Sequence, residues 1–181
     1  MILQALWFFL PAGEANMAPI LIKKVPIFDF LDIPIDGGKT FRGKRVFGDH
    51  KTVRGFVIGF VAALLTLLVQ KYCYTNFDWA RNISYVDYST INIWLGALGF
   101  GFGALVGDAV KSFFKRQRNH PPGTAWVPFD QIDYVIGGLI GSLLIIQLQP
   151  LEYFIIFVLW FGLHPLATWV GYKLSLKKSP L

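Results

Sequence analysis

Five stretches of this chain run almost without charge for the length that a bilayer demands of a helix. Crossing the hydrocarbon core takes about 20 mostly apolar residues, with a range of about 17–25. Residues 1–22 hold one charge, Glu14. Residues 88–107, 134–151 and 153–172 hold none, though His164 lies in the last. Residues 55–70 are also uncharged and borrow a few neighbours at each end to reach the length. Composition agrees, since 54% of the 181 residues are hydrophobic and 15% are charged, against about a quarter charged in soluble domains. The pattern predicts an all-α integral membrane protein with five transmembrane helices, organised as one domain over residues 1–181.

The first stretch differs from a signal peptide, which opens with basic residues. Here the first basic residue is Lys23, after the apolar run. The expectation is a retained helix, broken by Pro11 and Pro19. Basic residues then set the orientation. Fifteen of the 17 Lys and Arg residues fall in 23–54, 111–118 and 173–178, and only Lys71 and Arg81 lie on the other side. The positive-inside rule therefore puts the N-terminus outside and two charged loops in the cytoplasm, in a multi-pass plasma-membrane protein. The net charge of +6 reflects this topology. No nucleic-acid motif accompanies it, so nucleic acid is excluded as a partner. The single cysteine, Cys73, excludes an intrachain disulfide and a multi-cysteine metal site.

Glycine recurs at every fourth residue in the third span, at Gly99, Gly103 and Gly107, and again at Gly137 and Gly141 in the fourth. Such strips let helices approach closely in lipid. The first charged loop has two parts. "KKVPIFDFLDIPID" alternates apolar and acidic residues and reads as an amphipathic segment near the headgroups. "GGKTFRGKRVFGDHKTVRG" mixes glycines with cations and reads as an irregular loop rich in free N–H groups.

The second charged loop carries the chemistry. If the third span stays helical past Gly107, then Asp108, Lys111, Ser112 and Lys115 share one face, with Arg116 beside them. "HPPG" ends that helix, and Pro128 suits the first turn of the next. Asp130 and Asp133 then fall at i and i+3 on one face. A lone Asp at a helix start is usually a cap. Three carboxylates on two converging helix ends repel one another unless a cation joins them. Nearby Lys and Arg are one solution. A magnesium ion with a phosphorylated ligand is the other, because magnesium takes hard oxygen donors from one or two carboxylates plus substrate phosphates. In the first loop Lys44, Arg45, His50, Lys51 and Arg54 offer charge-assisted bonds to phosphate, or attraction to anionic headgroups. Lys51 and Arg54 border the second span, so they are expected to lie nearest the aspartates. The loop lacks the GxxxxGK[ST] spacing of a P-loop.

"PAGEANMAP", "DGGKTFRGKRVFGDHKTVRG" and "GDAVKSFFKRQRNHPPGTAWVPFDQIDY" resemble the corresponding segments of the archaeal CDP-archaeol synthase family. These are small five-span enzymes distantly related to the CTP:phosphatidate cytidylyltransferases. The resemblance covers nearly the whole chain. It implies transfer of CMP from CTP to an unsaturated isoprenoid glycerol ether phosphate, with magnesium as cofactor and pyrophosphate as second product. It also implies that Asp108, Asp130 and Asp133 hold the metal, and that Lys111, Lys115 and Arg116 face the triphosphate. Lys44, Arg45, His50, Lys51 and Arg54 would complete the polar pocket. The choice of CTP comes from the resemblance alone, because no residue here reads a base.

Two other readings bracket this one. A phosphatidate cytidylyltransferase acting on ester lipids would share the same charged residues, since apolar tail contacts are permissive. A small membrane transporter would instead place charges near mid-membrane, where only Glu14 stands. A CDP-alcohol phosphotransferase is excluded, because Asp36-Gly37 is not followed by that family's Ala-Arg or its paired aspartates. The sequence requires no second copy and leaves a homodimer open.

Overall fold

The computed structural model describes residues 1–22, 25–26, 28–121 and 124–174. Lys23, Lys24, Lys177, Lys178 and half of "HPPG" lie outside the described residues. The chain is mostly helical. In order come α1 (Ile2–Leu21), a hairpin of β1 (Thr40–Phe41) and β2 (Lys44–Arg45), α2 (Val53–Asn76), the short α3 (Asp78–Asn82) and α4 (Ile93–Ala97). A π-helical turn (Leu98–Phe102) joins α4 to α5 (Gly103–Gln117), and α6 (Phe129–Ser142) and α7 (Pro150–Lys173) complete the fold. Among the described residues, three rods are long and apolar enough to cross a membrane: Val53–Asn76, Ile93–Gln117 and Pro150–Lys173.

The first and fourth apolar stretches depart from expectation. Pro11 and Pro19 sit inside a continuous α1 and do not break it. A Pro costs a membrane helix one backbone bond, and close neighbours offset that loss. Pro11 is fully buried against such neighbours. The fourth stretch forms the 14-residue α6, about 21 Å long at about 1.5 Å per residue and short of an approximately 30 Å hydrocarbon core. Beyond Ser142 the chain turns and continues without regular structure to Pro150. Non-helical backbone at such depth needs internal partners. The Tyr153 hydroxyl supplies them, accepting from Leu148 N–H (3.1 Å) and donating to Ile146 C=O (3.2 Å).

Main chain meets main chain between α5 and α6. A methyl group added at Gly103 would lie 2.5 Å from the Gly137 carbonyl oxygen, and Gly107 and Gly141 lie closer still to Asp133 and Gly99. No side chain larger than hydrogen fits there. The π turn at Leu98–Phe102 is wider than an α turn. It slows the rotation of the glycine strip and helps keep Gly99, Gly103 and Gly107 on one face. Around this seam Phe9 packs edge-on to Phe100 and Trp160 and tilted against Tyr134. These rings anchor α1 to the third rod, α6 and α7.

The first charged loop is more ordered than its composition suggests. β1 and β2 pair Thr40 with Arg45 and Phe41 with Lys44. Arg42 and Gly43, with φ of 52° and 76°, make the two-residue turn that suits the twist of a hairpin. Ile35 N–H donates to Lys51 C=O (2.8 Å) and Val53 N–H to Ile33 C=O (2.9 Å), so the loop closes on itself where α2 begins. Thr52 caps α2 through its hydroxyl oxygen, which accepts from Gly55 N–H. In "KKVPIFDFLDIPID" the one helical element described is a 3-10 turn over Asp29–Leu31, with Phe28, Phe30 and Ile33 exposed.

Candidate active site

Backbone contact between α5 and α6 decides what their ends can do. Gly107 rests against the Asp133 carbonyl, so the turn that carries Asp108 abuts the turn that carries Asp133. Asp108 and Lys111 extend from α5, and Asp130 and Asp133 from the first two turns of α6. All three carboxylates reach one point. The Lys111 ammonium lies 2.9 Å from Asp108 Oδ1, 2.9 Å from Asp130 Oδ1 and 2.6 Å from Asp133 Oδ2.

Two more cations flank this centre. Lys51, at the end of the first loop, pairs with the other Asp108 oxygen. Lys115, one helical turn beyond Lys111, lies 3.0 Å from Asp130 Oδ1 and donates to Thr124 C=O at 2.6 Å. Trp126 N–H donates to Asp130 Oδ2 at 2.5 Å. Asp130 therefore both joins the centre and fastens the loop before α6. Three carboxylates and three ammonium groups balance in a setting where unpaired charge is costly.

A cleft of about 150 Å³ opens beside the cluster, lined by His50, Lys51, Lys111, Ser112, Lys115 and Arg116. It is smaller than the roughly 300–1,000 Å³ of a pocket for a whole ligand. A charged head fits it, and its cations favour phosphate oxygens. The residues expected from the sequence thus divide. Asp108, Asp130, Asp133, Lys111, Lys51 and Lys115 come together, with His50 and Arg116 on the cleft wall.

Lys44, Arg45 and Arg54 do other work. Lys44 donates to the Gln117 carbonyl at 2.6 Å and ties the hairpin to the end of α5. Arg45 bonds Asp36 (2.7 Å) and Asp49 (2.6 Å). Arg54 is buried, donates to the Ile22 and Val25 carbonyls and pairs with Asp29 at 2.9 Å. Lying three residues from Lys51 did not put Arg54 beside Asp108, Asp130 and Asp133; it pairs with Asp29. On an extended stretch entering a helix, residues three apart point different ways.

The organiser of the first loop is Asp36, which sequence reasoning passed over. Its side chain is almost fully buried and accepts from Arg45 and from the N–H groups of Gly38 (3.0 Å), Phe47 (2.9 Å) and Gly48 (3.0 Å). The N–H groups expected to be free in this glycine-rich stretch are thus partly consumed within it. Burial alone would raise the carboxyl pKa. The Arg45 bond and the three backbone donors outweigh that and hold it well below the usual carboxylate range. Gly48 adopts a φ of +89°, which side chains rarely permit, and so turns the loop toward Arg116 of the cleft. An acid before two glycines was the available signal, and it reads locally as no more than a turn.

Membrane-length helices whose ends gather carboxylates and ammonium groups around a cleft describe an intramembrane enzyme for phosphorylated substrates. Known proteins narrow this. A family model described as CarS-like, CDP-archaeol synthase, matches residues 1–181. A CDP-archaeol synthase of Methanospirillum hungatei JF-1 is 37% identical over 155 residues, covering 82% of this chain and 89% of its own. The Pyrococcus furiosus CDP-archaeol synthase is 32% identical over 183 residues, covering 99% and 98%. A solved intramembrane enzyme for archaeal membrane lipids biosynthesis superposes with a TM-score of 0.72 at 25% identity, covering 92% of this chain and 94% of its own. The chain belongs to the CDP-archaeol synthase family, a family of CTP-using cytidylyltransferases.

Proposed function

We propose that this chain joins CTP to an unsaturated isoprenoid glycerol ether phosphate at the cleft between the first loop and α5, releasing pyrophosphate and leaving CDP-archaeol in the membrane. One observation carries the assignment of the site: three aspartate oxygens lie within 2.9 Å of a single lysine nitrogen at the mouth of a basic cleft. Family membership supports the reaction, and disfavours the ester-lipid reading.

The reaction asks little proton chemistry of the protein. A phosphate monoester has a second pKa of about 6 and is largely dianionic at neutral pH. Its oxygen attacks the α-phosphorus of CTP, a new P–O–P bond forms, and the bond to the β-phosphate breaks to release pyrophosphate. What must be overcome is repulsion between two anions. Lys51, Lys115 and Arg116 face that charge from the cleft wall, in place before the reaction begins. Lys111 reaches both the cleft and the acids.

Among the described residues, no three His, Cys, Asp or Glu side chains stand close enough to hold a metal ion alone. Magnesium does not need such a cage, because it commonly takes one or two carboxylates and completes its shell with water and substrate phosphates. Hard oxygens aimed at one point fit that demand. Asp108, Asp130 and Asp133 would hold the ion, which when bound neutralises phosphate charge as a Lewis acid.

The decisive experiment is incubation of the purified chain in detergent with radiolabelled CTP, magnesium and a panel of lipid phosphates. Labelled lipid is expected with the unsaturated ether phosphate. Label appearing only in ester-linked phosphatidic acid would overturn the substrate assignment.

Five membrane crossings with the N-terminus outside and the cleft on the cytoplasmic side belong to the same proposal. Fifteen basic residues on one side against two on the other support it, with α6 and the irregular segment after it making the short fourth crossing. In spheroplasts of a Cys73→Ser background, an impermeant thiol reagent is expected to label Asn82→Cys rapidly and Arg118→Cys only after lysis. The reverse order would invert the topology.

A further inference from the structure

We propose that the Lys111 ammonium is an exchangeable counter-ion: it neutralises the three carboxylates until a divalent cation takes their oxygens, then swings into the cleft to meet the phosphates of CTP. This rests on the reading of Asp108, Asp130 and Asp133 as the metal site.

Geometry singles out Lys111 among the three lysines. Lys51 pairs with Asp108 and Lys115 with Asp130, whereas Lys111 touches all three acids. Its nitrogen therefore sits where a shared cation must sit. The two cannot share that point: magnesium binds oxygen at about 2.0–2.1 Å, so the acids would have to draw in from the 2.6–2.9 Å they keep around the ammonium, which leaves it no room. Lys111 also lines the cleft. Its flexible four-carbon stem lets the charge move between acids and cleft by rotamer change, without shifting the helix.

Charge balance gives the movement a consequence. Three acids already face three ammonium groups. A dication added alone leaves two uncompensated positive charges in a poorly hydrated site. CTP supplies the missing negative charge, and Lys111, released from the acids, gains phosphate oxygens to bond. Metal and CTP should each tighten the other by the same factor, because such coupling is reciprocal. The lysine thus discourages metal from binding unless nucleotide arrives with it.

Mn²⁺ serves as the probe, with its free concentration read by electron paramagnetic resonance on the full-length chain in detergent without CTP. Lys111→Met, which keeps the length and loses the charge, is expected to bind Mn²⁺ at least tenfold more tightly than the unaltered chain. Asp133→Asn should abolish binding. If Lys111→Met binds no more tightly while Asp133→Asn still abolishes binding, the counter-ion role is wrong and the metal site stands. If Asp133→Asn leaves binding unchanged, the site reading fails and takes this inference with it. Should Lys111→Met not fold, reductive methylation of the unaltered chain decides, read at the Lys111 peptide by mass spectrometry. Labelling is expected to rise at least threefold at saturating Mn²⁺ and to fall again when CTP is added. Labelling that stays constant would overturn the exchange.

Discussion

Asp133→Asn and Asp108→Asn are each expected to cut turnover to less than a tenth of the unaltered rate while the protein stays folded. The reason is local. Asp133 Oδ2 lies 2.6 Å from the Lys111 ammonium, and the two Asp108 oxygens face Lys111 and Lys51. An amide keeps the shape of the carboxylate and fills the same space, so no cavity opens in the glycine seam beside it. It removes the formal charge and leaves only a weaker, neutral oxygen donor for a metal. The measurement is kcat in detergent with saturating CTP and magnesium, next to melting curves of each variant. Activity above about a tenth corresponds to less than about 1.4 kcal/mol of lost transition-state stabilisation and would rule that residue out as an essential ligand.

Lys51→Ala and Arg54→Ala are expected to fail in different ways, although the two residues lie three apart. Lys51 pairs with Asp108 and faces the cleft. Removing a charged partner of a buried charge typically costs about 2–5 kcal/mol, so kcat/KM for CTP should fall by at least roughly 30-fold. Attraction to anionic lipid is worth only about 1 kcal/mol per residue and disappears in zwitterionic detergent, where the assay is done. Arg54 holds the Ile22 and Val25 carbonyls and Asp29. Its loss should lower the melting temperature and expose the first loop to protease, while the folded fraction keeps kcat/KM within about fivefold. A loss below fivefold in Lys51→Ala for both substrates would reduce that lysine to a surface anchor. A stable but inactive Arg54→Ala would bring Arg54 back into the site.

Much of this arrangement can be read along the chain. Asp108, Lys111 and Lys115 follow helical spacing, and α5 does run past Gly107 to Gln117. The four-residue glycine rhythm correctly signals close helix contact, and Asp130 and Asp133 open α6 as the proline at 128 suggests. Other features are hidden for physical reasons. Between Ser142 and Gln149 nothing charged, and neither Gly nor Pro, interrupts the apolar run, so the end of α6 carries no local mark. Three of the four partners of Asp36 lie 9–12 residues away, in a segment whose glycines suggest freedom. Arg54 and Lys51 look equivalent until a fold directs one into the loop base and the other to the acids. Sequence patterns report periodicity well. They report poorly on bonds that close only when distant turns meet.

The seam between α5 and α6 also bears on how the acids tolerate disturbance. Most active sites keep their separations through interlocked side chains, which loosen when a protein warms or its detergent changes. Here the spacing of Asp108 from Asp133 is set by two strips of main chain in direct contact at Gly103, Gly107 and Gly137. No rotamer can relax there, and no methyl group can be trimmed or shifted to absorb strain. The two helices therefore act as one rigid bar with the acids at its tip. Loosening of side-chain packing elsewhere would leave the helix-to-helix spacing behind these groups in place.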